Sequence, residues 1–130
     1  MAVTYNIAVS SKATRTFHDL PKKFLISHRQ FDPTLPSSSI KILHHMLHNA
    51  KGYFLTVGGV NGGDEMSYGY IRVVIDVMKG TLDGPRKAEL LKRTMDVCLD
   101  YEGKKAGETE VEVRINEIEE ENVLRVIQGQ

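Results

Sequence analysis

Apolar and polar side chains alternate most sharply from Tyr70 to Met78. There Ile71, Val73, Ile75 and Val77 fall on one side of an extended chain, and Arg72 and Asp76 fall on the other. A period of two predicts a half-buried strand. Beyond Gly80 the period changes. Asp83 can cap a helix, Pro85 suits its first turn, and Leu91, Met95, Cys98 and Leu99 recur at helical spacing beside Arg86, Lys87, Lys92 and Arg93. This predicts a helix of about four turns. Gly103 and Gly107 break it, and Val111, Val113 and Ile115 then alternate with Glu110, Glu112 and Arg114 as a second strand. The unit reads β-α-β.

The first half repeats this grammar less cleanly. Val3, Tyr5, Ile7 and Val9 alternate, a charged and apolar mixture runs from Lys12 to Gln30, and a second strand is expected around Ile40 to Met46. Pro21 interrupts the helical stretch at a cost of about 3 kcal/mol in a helix interior, so the helix is expected to restart with Asp19 as cap and Pro21 in its first turn. Equivalent strands lie 65 residues apart at Tyr5 and Tyr70, and about 70 apart near Ile42 and Val113. That spacing suits a single domain built as a pseudo-repeat, 1–60 and 66–130. Tyr53 to Val57 reads as a short strand before Gly58, Gly59, Gly62 and Gly63. A phosphate loop needs a lysine followed by Ser or Thr after its glycines. Asp64-Glu65 stands there instead, which favours a hairpin or a subunit-contact loop.

Composition narrows the function classes. The 130 residues carry 17 basic and 17 acidic side chains, so no global electrostatic footprint for a nucleic-acid backbone exists. No apolar run approaches the 18 or so residues of a bilayer span, so neither nucleic acid nor membrane is an expected partner. Cys98 is the sole cysteine and cannot form an internal disulfide. Met1 to Ser10 lacks the basic and then apolar stretch of a secretory signal, and a cytoplasmic location is expected. The charge is uneven: residues 1–65 hold seven Lys/Arg against four Asp/Glu, and residues 66–130 ten against thirteen. All five histidines lie in the first half.

Among groups able to do chemistry, His44, His45 and His48 suggest a metal site. On a strand, however, only His44 and His48 share a face, and zinc normally takes three or four ligands. No metal or cofactor is therefore expected. Glu117 keeps the parity of Val111, Val113 and Ile115, so it falls at the end of a core-directed face. There desolvation raises a carboxyl pKa unless a cation or several donors compensate. The plainer reading is that Glu117 escapes to solvent or pairs with an arginine such as Arg114 or Arg125 across an interface. Glu119, Glu120 and Glu121 read as a solvated surface.

The doubled β-α-β plan, the VGGVNGG connection, and YIRVVIDVMKG followed by a helix and VEVRINEI resemble the tautomerase superfamily, most of all its cis-3-chloroacrylic acid dehalogenase-like group. The resemblance implies an α+β fold, a four-stranded sheet backed by two helices. It also implies a homotrimer and chemistry by an N-terminal proline whose amine acts as base or acid. An α-amino group titrates near about 8 in water, and burial among cations lowers that value. By the same resemblance, Glu117 in INEI matches the water-activating or orienting glutamate, and His28 in Ser27-His28-Arg29 matches a substrate-binding histidine. The two substrate arginines would fall at Met78 and Thr81, leaving Lys79 as the cation of that segment and Arg72 on the polar face. Tyr101 is the nearest candidate for the active-site tyrosine. The residue after Met1 is Ala2, not proline. A primary amine can still act as a base or form a Schiff base, without ring-fixed geometry.

Three readings follow. The first is an isomerase or lyase acting on a small enol or α-keto carboxylate, with the amine at Ala2 as base, His28 and Lys79 on the carboxylate, and Glu117 orienting the proton or water. The second is a non-catalytic trimeric scaffold or small-molecule-binding homologue. The third is another α+β sandwich of the same element order, such as a ferredoxin-like module, in which residues 2, 28 and 117 would not converge.

Overall fold

Eight alternating residues, Val3–Ser10, form the first strand, β1, of a computed structural model that describes residues 2–10, 19–47, 56–57, 60–61, 68–102 and 108–129. Helix α1 (Asp19–Phe31) and a 3-10 turn (Ser37–Ser39) lead to β2 (Ile40–Leu47). Two short strands, β3 (Thr56–Val57) and β4 (Val60–Asn61), pair antiparallel as a hairpin. Strand β5 (Tyr68–Met78), helix α2 (Gly84–Glu102) and β6 (Glu108–Ile118) complete the plan, and a 3-10 turn (Glu120–Asn122) opens the C-terminal segment. The main sheet runs β2-β1-β5-β6. Each β-α-β unit contributes a parallel pair, and the units join through antiparallel β1 and β5. This is the expected four-stranded α+β sheet with two helices.

Parity explains the packing. Val3, Tyr5, Ile7 and Val9 of β1 and Ile71, Val73, Ile75 and Val77 of β5 are buried beneath the helices, and Val111, Val113 and Ile115 of β6 pack partly buried against them. Each fully buried aliphatic side chain of this kind is worth about 1.5–3 kcal/mol relative to exposure. Residues of opposite parity face away from the helices and include the polar Thr4, Asn6, Arg72 and Asp76 beside Ala8, Leu43 and Val74. There Asn6 Nδ2 donates to Asp76 Oδ2 at 3.0 Å and Asn116 Nδ2 to Asp76 Oδ1 at 3.0 Å. Further along the same face, Glu112 takes Arg72 at 3.2 Å and Arg114 at 2.7 Å.

The described helix α1 runs Asp19–Phe31 and contains Pro21; Lys12 to His18, on which the expected restart with Asp19 as cap depends, lie outside the described residues. Its stripe Leu20, Phe24, His28 and Phe31 is buried. At α2, Asp83 Oδ1 accepts the Arg86 N–H at 2.9 Å, the expected N-cap. The buried stripe of α2 differs from the sequence reading. It is Leu90, Thr94 and Cys98, while Leu91 and Met95 are half-buried and Leu99 is 53% exposed. Thr94 reads as polar but enters the core because its hydroxyl donates to the Leu90 carbonyl at 2.8 Å. The helices meet where the Arg86 guanidinium lies 3.8 Å over the Phe31 ring and donates to the Phe31 carbonyl. Among the described residues no helix is long and apolar enough to cross a membrane.

Two expectations follow. His28 is 2% exposed and shares a 2.7 Å hydrogen bond with the Tyr5 hydroxyl. Burial, and secondarily Arg86, lowers its pKa from 6.5 against the opposing pull of Asp32. Below pH 6.5 the unfolded chain therefore takes up a proton that the folded chain refuses, so stability is full above that value and falls as pH drops through the window beneath it. Denaturant unfolding between about pH 7.5 and 5.5 will show this slope, flattened in His28→Phe. That variant loses about 1–3 kcal/mol at neutral pH because Tyr5 loses its partner. Gly80, in the turn after β5, has φ +86° with nothing within 4 Å of an added Cβ. Gly80→Ala will cost about 1 kcal/mol through backbone strain alone, and Gly80→Asn less, in the same unfolding measurement.

Candidate active site

The register of the sheet assembles a row of open-face side chains near the start of β1. Lys41 lies opposite Thr4, Thr4 opposite Asp76, and Asp76 opposite Asn116, so all four strands contribute to one line. Ala2 precedes this row at the strand's mouth. The C-terminal segment returns beside it after the 3-10 turn, which is closed by Asn122 and Val123 amides donating to Glu119 and Glu120 carbonyls. Between the sheet end and this segment lie two cavities that share Ala2, Lys41, Met78 and Arg125 as walls. The larger, about 810 Å3, also takes in Ser38, Ser39, Lys79, Thr81 and Glu119 to Glu121. The smaller, about 190 Å3, is floored by Thr4 and Asp76.

The residues singled out in the sequence divide among four environments. Ala2 and Lys79 line the larger cavity, with the Lys79 ammonium 2.7 Å from Glu119. Met78 and Thr81, the positions at which the resemblance has arginines, are walls of the same cavity. Glu117 lies on the helix-covered side of the sheet. Its carboxylate accepts from Lys87 Nζ at 2.7 Å. The Lys87 hydrogen bond, with the ammonium charge behind it, holds the carboxyl below the usual carboxylate range. A cation thus reverses the direction that desolvation alone would impose. Arg114 is taken by Glu112, so within the protomer the partner of Glu117 comes from α2 instead of an arginine.

His28 is in the core, ringed by Tyr5, Phe24 and Phe31. Arg72 sits on the open face paired to Glu112. It is four residues along β5 from Asp76, about 13 Å at strand rise. Tyr101 falls in the last turn of α2, far from Gly84. One protomer therefore brings Ala2 and Lys79 together, while His28, Arg72 and Glu117 are not among the walls of these two cavities; the Tyr101 side chain lies outside the described residues. Of the histidine triplet, His44 is half-buried toward the helices, His45 is exposed on the open face, and His48 lies outside the described residues. No group of three or more His, Cys, Asp or Glu that could hold a metal occurs among the described residues.

Sequence reasoning missed Lys41, Asp76 and Arg125 as neighbours of Ala2. The parity of Asp76 was legible, since it alternates with Ile75 and Val77. What places it beside Lys41 is the pairing register, which no local pattern encodes. Arg125 follows the last strand in a segment without periodicity.

No protein-family model and no curated protein matches this sequence. Solved structures do match the fold. A 5-carboxymethyl-2-hydroxymuconate isomerase from Deinococcus radiodurans R1 superposes with a TM-score of 0.74 at 12% identity, covering 95% of this chain and 88% of that one. A fused 4-OT solved as a symmetric trimer gives 0.67 at 17%, covering 98% and 94%. A member of the cis-3-chloroacrylic acid dehalogenase family gives 0.63 at 17%, covering 94% and 79%. At these identities the likeness is one of architecture. The chain has the fold of the tautomerase superfamily.

Proposed function

We propose that this chain is a cytoplasmic isomerase or lyase acting on a small enol or α-keto carboxylate through the amine at its N-terminus. The observation that carries this reading is the position of Ala2, at the mouth of the central strand and in the wall of both cavities, among Lys41, Lys79 and Arg125. With Met1 removed, the α-amino group belongs to Ala2. As a base it takes the enol hydroxyl proton, and the same ammonium then returns a proton to carbon, leaving the ketone. Glu117 acts as a positioning residue. Its ion pair with Lys87 ties the end of β6 to α2, beside the turn that carries Lys79 and Thr81 into the cavity wall. The neighbouring dehalogenase-family and isomerase folds support this class of chemistry.

We further propose a homotrimer, as in fused 4-OT, which is solved as symmetric and asymmetric trimers. Among the described residues no helix lies over the other sheet face. Leu124, Val126 and Ile127 of the C-terminal segment are 94%, 71% and 71% exposed, more apolar surface than one segment normally leaves in water. Sedimentation equilibrium will show three chains per particle, and a monomer at all concentrations will reject the assembly.

A second reading, a non-catalytic binding homologue, is favoured by Ala2 in place of a ring amine and by Met78 and Thr81 in place of arginines. One pair of measurements separates the two. 2-Oxo-3-pentynoate, which inactivates a structural neighbour, will add to the α-amine: an N–C bond forms at the alkyne, whose triple bond becomes a double bond, with the proton ending on carbon. Peptide mass spectrometry will place the adduct on Ala2. Ketonisation of an enolic aryl pyruvate will fall about 10²–10⁴-fold on N-terminal acetylation, the range of a lost general base. Turnover unchanged by acetylation will reject the amine mechanism, and binding without turnover or adduct will establish the second reading.

A further inference from the structure

We propose that the groove between the outer faces of α1 and α2 is a second binding site, one that takes a short peptide with free termini and an apolar central side chain. The inference is independent of the reading of the Ala2 cleft, with which this groove shares no wall.

The Arg86 contact on Phe31 joins the start of α2 to the end of α1, so the helices run antiparallel. Phe24, His28, Thr94 and Cys98 are buried. One step around each helix, residues spaced i, i+3, i+4 and i+7 line a cavity of about 420 Å3, from Lys23 to Gln30 on α1 and from Arg93 to Asp100 on α2. That volume lies in the range of pockets that take small ligands. The antiparallel arrangement sets Lys23 and Asp100 at one end and Gln30 and Arg93 at the other, with Ile26 and Val97 between them. Ile26 is 50% exposed, an apolar side chain in the middle of a groove whose ends are charged.

The charges left over decide the ligand. Lys92 holds Asp96 at 3.1 Å, and Glu89 takes the Nε of Arg93 at 2.9 Å. The two terminal guanidinium nitrogens of Arg93 and the carboxylate of Asp100 have no hydrogen-bond or ion-pair partner among the described residues. Lys23 stands at the Asp100 end without pairing to it, which leaves that carboxylate open to an incoming ammonium. Seven residues of helix separate Asp100 from Arg93, about 10 Å at helical rise. An extended tripeptide spans the same length, about 10 Å. Its α-ammonium then meets Asp100, its carboxylate meets the fork of Arg93 beside the Gln30 amide, and its middle side chain covers Ile26 and Val97. A dianion is repelled by Asp96 and Asp100, and a dication by Arg93, so the groove selects a zwitterion.

Calorimetric titration and amide shift mapping with alanyl-leucyl-alanine at low salt test the site on the wild-type chain, Asp100→Asn, Arg93→Gln and Ser27→Trp, each shown folded by thermal melting. Shift changes will centre on Ile26, Ser27 and Val97. Acetylating the peptide amine or amidating its carboxylate will each weaken binding about 5- to 10-fold. Asp100→Asn will weaken the free peptide by the same factor and leave the acetylated peptide unchanged, and Arg93→Gln will behave likewise toward the amidated one. Ser27→Trp fills the groove without removing a charge and will abolish binding. No saturable binding by the wild-type chain, equal binding of a peptide blocked at both ends, or shift changes centred on Ala2 will overturn the assignment. Groove shifts that follow protein concentration and not peptide will overturn it too, by giving the groove to a second copy of the chain.

Discussion

Among the described residues, two helices seal one face of the sheet and none covers the other, and the fate of every strand residue follows from which face its parity selects. On the sealed face alternate Val, Ile and Tyr side chains of β1 and β5 are fully buried. On the open face the same strands present Thr4, Asn6, Arg72 and Asp76, joined across strands by amide–carboxylate and guanidinium–carboxylate bonds. A one-residue slip of β1 would exchange the two sets, placing Asn6 in the core and Tyr5 in water. The register therefore stands guard over both stability and chemistry. The line Lys41, Thr4, Asp76, Asn116 exists only while it holds.

Charge is arranged with the same economy. The turn between β5 and α2 is bound to the end of β6 by the Lys79 amide on the Ile118 carbonyl at 3.0 Å, by Lys79 on Glu119, and by Glu117 on Lys87. Each exposed pair contributes little singly. Together they fix one wall of the cleft and engage Glu117 and Glu119, while Lys41 and Arg125 of the neighbouring walls form no ion pair among the described residues.

Much of this was legible in the sequence. The strand at Tyr70 to Met78, the Asp83 cap and the core-directed parity of Glu117 follow from period and capping chemistry, which act over a few residues. Thr94 shows one limit. A hydroxyl that satisfies itself on its own helix behaves as a core residue, so a hydropathy reading places the buried stripe of α2 one residue late. His28 shows another. On one helix it reads as a candidate ligand, yet its partner Tyr5 lies on a different strand, and only packing reveals that the imidazole completes an aromatic cluster. Arg125 had no signal, because a segment without secondary structure has no period from which to infer a direction.

Architecture survives at 12–17% identity because the sealed face asks only for apolar volume at alternate positions, which many side chains supply. The cleft has no such tolerance in geometry, but it has some in charge. Coulomb attraction depends on distance and not on which element delivers the cation; here Lys41 of β2 and Arg125 of the C-terminal segment border the cavities, while Met78 ends β5 and Thr81 follows it. Orientation is harder to move. A pair of guanidinium groups holds a carboxylate in a plane, whereas one guanidinium and one ammonium hold it in place with a free rotation about the lysine contact. A site of that kind attracts a carboxylate as strongly and aligns it less. Selectivity at a site of that kind comes from shape more than from hydrogen-bond geometry, and the chamber between Ala2, Ile118 and Val123 measures about 190 Å3.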